Sequence, residues 1–322
     1  MSGDPFDVPA RDIPRDRYGR PMVHPPNGGK PVPYTRCTTF VGVLEDTYNL
    51  SRWQQRMVAL GLADRPDLML AVAAHRDDRD KLNKITGDAL EAAKAGAAAT
   101  TGTALHALTE KVDRDEPLGV IPNAYIADLE QYRTTTAPLE VQRIEQFRVL
   151  DSLRIGGTTD RVVKYGDRYY IADVKTGSID WGILKICMQL AVYAQSTPYD
   201  FETNTRATDP FQVDLERAIV IHLPAGQGRC DLIWADIAAG WQAVQVAKEV
   251  RDWRARKGLS EPFEDIDTTF TIENGYLSAA ALANDIETLN KVWVDATAAG
   301  AWNDELLNAC RIRKAQLLEQ AA

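Results

Sequence analysis

Hydrophobic positions change their spacing along this chain, and the changes predict its elements. From Thr38 to about Val112 the apolar residues recur at helical intervals: Leu44, Trp53, Met57 and Leu60 first, then the runs LMLAVAAH, KLNKITGDALEAAKAGAAA and TALHALTEKV. Interruptions are expected near Pro66, Gly87 and Thr101-Gly102, because proline and glycine break helical patterns. The alanine-rich stretch suits a helix packed closely on a sheet. RIEQFRV then reads as a strand, and RVVKY and RYYIADV, either side of Gly166-Asp167, read as two antiparallel strands joined by a tight turn. After Thr176-Gly177, Ile183, Ile186, Leu190 and Ala194 restore helical spacing. RAIVIHLP and CDLIWADI predict two more strands across the PAGQGR turn, followed by the helix AAGWQAVQVAKEVRDWRAR. His222, alternating with apolar residues there, reads as a satisfied strand histidine. From about Leu277 the pattern gives two or three helices.

These elements divide into an extended arm over 1–34, an N-terminal helical region over 35–100, a sheet-bearing core over 101–256 and a C-terminal helical region over 257–322. The arm holds eight of the chain's 16 prolines and is expected to be extended or poorly ordered, draped over a partner or a neighbouring subunit. Helices before and after a mixed β-sheet make the fold class α/β.

Composition narrows the function classes. With 322 residues and 45% hydrophobic content the chain can build a full core. It contains no apolar run long enough to cross a bilayer and no basic-apolar leader at its start, so no membrane association and a cytoplasmic location are expected. A net charge of −9 excludes a generic nucleic-acid coat, whose affinity rests on lysines and arginines releasing counterions. It leaves room for a local basic patch, with Arg36, Arg52, Arg56, Arg161, Lys164 and Lys185 as candidates and Arg311, Arg313 and Lys314 as a second small cluster. Cys37, Cys187, Cys230 and Cys310 are scattered, without a C-x-x-C, so buried thiols are expected and an iron–sulfur cluster is not.

The chemistry concentrates between Gly156 and Tyr193. The hairpin can carry Asp160 and Asp173 to one neighbourhood, and two carboxylates are what magnesium, a hard cation preferring oxygen ligands, asks of a protein. Residues two apart in a strand share a face, so Asp173 and Lys175 project together. An ammonium there can orient and help deprotonate a water, or stabilise charge developing on a phosphate. Gln189 and Tyr193 stand one helical turn apart and can face the same place. Taken singly, each has an ordinary alternative: Tyr193 as core with a bonded hydroxyl, His106 as a packed helix residue, Glu110 as its i+4 neighbour, Glu145 as an edge-strand acid.

Taken in order, G-x-x-D (Gly157 to Asp160), D-x-K-T-G (Asp173 to Gly177) and Q-x-x-x-Y (Gln189 to Tyr193) resemble the PD-(D/E)xK nuclease superfamily, in particular its RecB-like exonuclease branch. Upstream, Gly102, His106 and Glu110 match that branch's G-x-x-x-H-x-x-x-E setting. The early YTRCTTF and LSRWQQRMVA are similar to the openings of RecB-like proteins of actinobacterial phages. The resemblance covers roughly residues 35 to 200. It implies a restriction-endonuclease-like core and a metal site made by Asp160, Asp173, the Val174 carbonyl and His106. Lys175 is implied as the catalytic lysine, and Gln189 and Tyr193 as substrate-positioning residues, with Arg161 and Thr176 as further DNA-contact candidates. Glu110 is implied as a partner of His106, and Glu145 as the extra acid that some relatives carry.

The activity implied is magnesium-dependent hydrolysis of DNA from linear ends, with manganese able to substitute. The setting implied is phage recombination or repair in the host cytoplasm, alongside a single-strand annealing protein or recombinase, with a homo-oligomeric ring as one option. Two alternatives stay open: a structure-specific or flap endonuclease on the same core, and a non-catalytic DNA-end-binding protein. Intact Asp160, Asp173 and Lys175 weigh against the second.

Overall fold

The computed structural model describes residues 13–260 and 268–320. The chain separates into two compact units, Met1–Ala255 and Arg256–Ala322. The first unit opens with short strands β1 (Met22–Val23), β2 (Val32–Pro33) and β3 (Thr35–Arg36) and helices α1 (Cys37–Val41), α2 (Tyr48–Asp64), α3 (Pro66–Ala74), α4 (Arg79–Ala92), α5 (Ala97–Asp113) and α6 (Ile126–Thr136). Next come β4 (Glu140–Leu150), β5 (Ile155–Tyr165), β6 (Arg168–Lys175), α7 (Ile183–Ala194), β7 (Thr197–Asp200), β8 (Thr205–Arg206), β9 (Arg217–His222), β10 (Asp231–Asp236) and α8 (Ile237–Ala255).

Eight of these strands form one mixed sheet in the order β10-β9-β6-β5-β4-β7-β8, with β3 beside the start of β5. β6 and β9 are parallel, as are β3 and β5, and the other neighbours are antiparallel. Alternation along each strand sends Val162, Ile171, Ala218 and Val220 to one face, where α1, α7 and α8 cover them. Val163, Ala172, Val174, Ile219 and Ile221 go to the other, where Tyr132 of α6 packs and Val112 of α5 abuts. Helices on both faces of a mixed sheet make this an α/β fold.

α7 is buried on every side from Ile186 to Ala194, and apolar there except for Gln189 and the Tyr193 hydroxyl, because it lies between the sheet and α8. Its approach to α8 requires Gly240, where a Cβ would stand 2.4 Å from the Cys187 carbonyl oxygen. Gly61 plays the same part between α2 and α4.

Several expectations change. Gly87 does not break its helix: α4 runs through it, its side open to solvent, at a cost of only about 1 kcal/mol relative to alanine. Nor does Gly102, which α5 also passes through. Of the proline-rich arm, residues 1–12 lie outside the described residues, but 13–34 are folded onto the sheet. Ile13, Val23 and Tyr34 are buried with Phe147, Val149 and Tyr199, and the Tyr34 hydroxyl donates to Asp151 at 2.7 Å. The prolines there serve an irregular path held by side-chain burial instead of a loose arm. β3, β7 and β8, too short to show a period, were outside the predicted elements.

The second unit contains α9 (Thr268–Leu282), α10 (Ile286–Ala298) and α11 (Asp304–Gln320), around Ala280, Leu289, Val292, Leu306 and Leu317. Asp285 caps α10 by accepting from the Thr288 N–H at 2.6 Å. No helix among the described residues is long and apolar enough to cross a membrane.

Candidate metal centre

β5 and β6 pair only as far as Arg161 and Ala172 and then part. Asp160 and Asp173 are the next positions on each strand, on the same face as Val162 and Ile171, so they meet where the strands splay. The lost ladder bond is replaced by a side chain: the Val174 N–H donates to Asp160 Oδ2 at 2.9 Å. α5 closes over this opening. Gly102 allows it, because a Cβ there would stand 2.6 Å from Thr176 Oγ1.

His106, one turn further along α5, brings Nε2 to 2.8 Å from Asp160 Oδ2 and 3.7 Å from Glu145 Oε1, while Nδ1 faces Glu110 Oε1 at 3.6 Å. With Glu110 beside Nδ1, the proton belongs there and Nε2 is the nitrogen available to a cation. Glu145 reaches the site from β4 through a left-handed backbone (φ 53°), a conformation unusual outside glycine that turns its carboxylate toward His106. Lys175 Nζ lies 2.5 Å from Asp173 Oδ2. Gln189 Nε2 donates to Asp173 Oδ1 at 3.4 Å and to the Tyr193 hydroxyl at 3.3 Å. The cleft over these groups has a volume of about 490 Å³ and is lined also by Thr103, Val174, Thr176 and Gly177.

The electrostatics are those of crowded acids. Burial, then the Asp160 charge, pushes Asp173 up to about 6 and Glu145 up to about 7. Burial disfavours the charged His106 ring, but Asp160 and Glu145 outweigh it and raise His106 to about 9. Burial opposes the charge of Asp160 too, yet His106 and Lys175 hold that carboxyl below its ordinary value. For Lys175, Asp173 and Asp160 overcome burial and raise its pKa, so it is an ammonium at neutral pH.

Among the described residues four buried side-chain polar atoms have no hydrogen-bond partner, and three of them are here: His106 Nε2, Glu145 Oε1 and Asp173 Oδ2. His106 Nε2 is close to Asp160 but out of hydrogen-bonding line, and Asp173 Oδ2 has only the ion contact from Lys175. Native proteins seldom leave such groups unpaired. The donor set of one imidazole nitrogen and several carboxylate oxygens could hold a divalent cation, with Asp160, Asp173 and His106 at its centre and Glu145 at its margin. His106, Glu110 and Glu145 also offer ligand atoms lying within 4.8 Å of one another.

Two expected substrate contacts are corrected. Arg161 is 0% exposed: alternation along β5 turns it away from the cleft, into an ion pair with Asp113 at 2.5 Å and a bond to Thr109 at 3.1 Å. It acts on the site by donating to the Asp160 carbonyl at 2.9 Å and through its charge, which favours ionised Asp160 and Glu145. Tyr193 is buried against Gly157 and Cys37 and does not line the cleft; it supports Gln189. Gly157 is required by this contact, since a Cβ would stand 2.9 Å from the Tyr193 ring. Of the other basic candidates, Lys164 and Lys185 are paired with Glu140 and Glu45, Arg36, Arg52 and Arg56 are exposed, and Arg313 donates to the Ala283 carbonyl. His222 bonds the Gly177 carbonyl at 3.1 Å. Cys37, Cys187 and Cys230 are buried thiols and Cys310 is half-buried. Thr109 and Asp113, which hold Arg161, escaped sequence reading, although their i+3 and i+7 spacing from His106 on one helix was a signal.

No protein-family model and no curated protein matches this chain.

Proposed function

We propose that this chain is a divalent-metal-dependent deoxyribonuclease of the PD-(D/E)xK superfamily, on a restriction-endonuclease-like core of the RecB-like kind, degrading DNA from linear ends. The observation that carries the reading is the gathering of His106, Glu145 and Asp173, each with a buried polar atom that lacks a hydrogen bond, about Asp160 and Lys175. The order of these residues in the sequence supports it, and so does their placement at the parting of two sheet strands under a helix. The exonuclease assignment, the phage-recombination setting and an annealing or recombinase partner rest on the resemblance alone.

Asp160 and Asp173, with His106, would hold magnesium or manganese. The ion, when bound, supplies Lewis-acid polarisation of the phosphate and a more acidic water. Gln189 holds Asp173 by one oxygen, and the other meets the Lys175 ammonium at the floor of the cleft. Glu110 orients His106. Lys175, as an ammonium, can hydrogen-bond the phosphate and stabilise the negative charge that grows as water attacks phosphorus; this favours the electrostatic role over that of a general base. Arg161 and Tyr193 keep the strand and helix that carry Asp160 and Gln189 in place.

End-labelled linear duplex and covalently closed circular duplex, incubated with magnesium, test the reading. Loss of the linear substrate alone, abolished by chelator and by Asp173→Ala, is the expected result. Cutting of the circle would make the protein an endonuclease. Cleavage of neither by folded protein, with manganese also tried, would overturn the nuclease reading in favour of DNA-end binding without catalysis.

A further inference from the structure

Trp181 is 99% exposed, in the turn that leads from the metal cleft into α7. Its backbone is anchored: the Gly182 N–H donates to the Ile179 carbonyl at 3.1 Å, and Ile179 packs against the main core. A whole indole held out on a fixed turn contributes nothing to the fold. It borders a cavity of about 640 Å³ between this turn, the start of α7 and residues 41–49, with apolar walls from Val41, Leu44, Leu184 and Met188.

The polar groups of that cavity exclude one ligand and suit another. Glu45, Asp46 and Asn49 line it, and its lysine, Lys185, is tied to Glu45 at 2.8 Å. Such a wall repels phosphate. It offers acceptors and an amide to the edge of an uncharged planar ring. The cavity and the cleft are neighbours along one helix face: Lys185 lines the cavity and Gln189, one turn on, lines the cleft. On the other side Thr176 and Gly177 line the cleft, only a few residues before Trp181.

We infer that Trp181 is a stacking platform: the cavity takes an unpaired nucleobase of the DNA strand whose phosphate lies in the metal cleft. Trp181 is then a positioning residue, and the inference rests on the nuclease reading. Stacking on an aromatic ring accepts any base, so the platform holds a frayed or single-stranded end without reading sequence.

The test uses full-length protein and a single-stranded oligonucleotide carrying 2-aminopurine in turn along its length. Binding is measured with magnesium in a Lys175→Ala background, whose slowed cleavage spares the DNA over the time of the measurement, and kinetics in the otherwise unaltered enzyme. Quenching of the probe at one position is expected with Trp181 present. Trp181→Ala should abolish it and raise Kd and KM about tenfold, equivalent to about 1.4 kcal/mol, with kcat little changed. Trp181→Phe should restore most of the affinity, and an abasic site at the quenched position should remove the difference between Trp and Ala. An equally stable Trp181→Ala protein that binds, quenches and cuts like its parent would overturn the inference and leave the nuclease reading intact. A parent protein that neither binds nor cuts DNA would overturn both.

Discussion

At the scale of single residues, the account turns on which acids hold protons. Glu145 and Asp173, raised to about 7 and about 6, bind protons more tightly in the folded protein than unfolded. Their contribution therefore favours the metal-free fold at low pH and is lost as pH rises through those values. His106, raised to about 9, adds stability that is complete below its unfolded value and lost as pH rises through 9. Asp160, depressed, acts in the opposite sense and loses its contribution as pH falls through its lowered value. A cation must displace the protons on Glu145, Asp173 and His106. Manganese affinity should thus climb between pH 6 and 9, with proton release measurable by calorimetry in buffers of different ionisation enthalpy. A pH-independent affinity would place the cation elsewhere. Arg161 belongs to a different class of residue. Arg161→Ala leaves the buried Asp113 carboxylate with the Tyr132 hydroxyl but without its ion partner, and should cost about 3–5 kcal/mol in urea unfolding. DNA-binding loss in a variant of unaltered stability would contradict that assignment.

At the scale of elements, two glycines that look alike in sequence behave oppositely. Gly87 faces open space within α4, so Gly87→Ala should stabilise by about 0.4–1 kcal/mol. Gly102→Ala should instead press α5 off Thr176, displace His106 and weaken manganese binding about tenfold. Thr176→Ala in the same chain should restore it, as titration of single and double variants would show. Unaltered affinity in Gly102→Ala would mean that the helix approach does not set the site. The strand pair around Gly166 and the helix bearing Gln189 were legible because their periods extend over many residues. Asp160, Asp173, Lys175 and His106 were legible as a set by their order, and the fold brings them together. The outward or inward direction of Arg161 was not, although strict alternation from Asp160 already turned it to the opposite face. Tyr193 could not be placed without knowing that α7 is enclosed by α8 as well as by the sheet. The docking of residues 13–34 through buried Ile13, Val23 and Tyr34 depends on long-range contacts with Phe147 and Tyr199 that no local pattern reveals.

At the scale of the whole molecule, a chain of net charge −9 that is to bind DNA, as proposed, needs positive charge placed locally at the cleft. Arg161 is committed to a buried ion pair and Lys164 and Lys185 to partly exposed ones, which leaves Arg36, Arg52 and Arg56 as the exposed basic candidates. A cation in the cleft would add positive charge beside a bound phosphate, so metal and DNA binding should be coupled. The most direct test of the metal-dependent nuclease claim separates holding the cation from using it. Manganese binding and cleavage of end-labelled linear duplex should be measured side by side for the unaltered protein, Asp160→Asn, Asp173→Ala and Lys175→Ala. The account predicts that the two aspartate variants lose both properties, whereas Lys175→Ala still binds manganese but cleaves at least a hundredfold more slowly, about the effect of removing one preorganised electrostatic donor. Cleavage by Lys175→Ala at the parent rate, or by Asp173→Ala at any comparable rate, would contradict it.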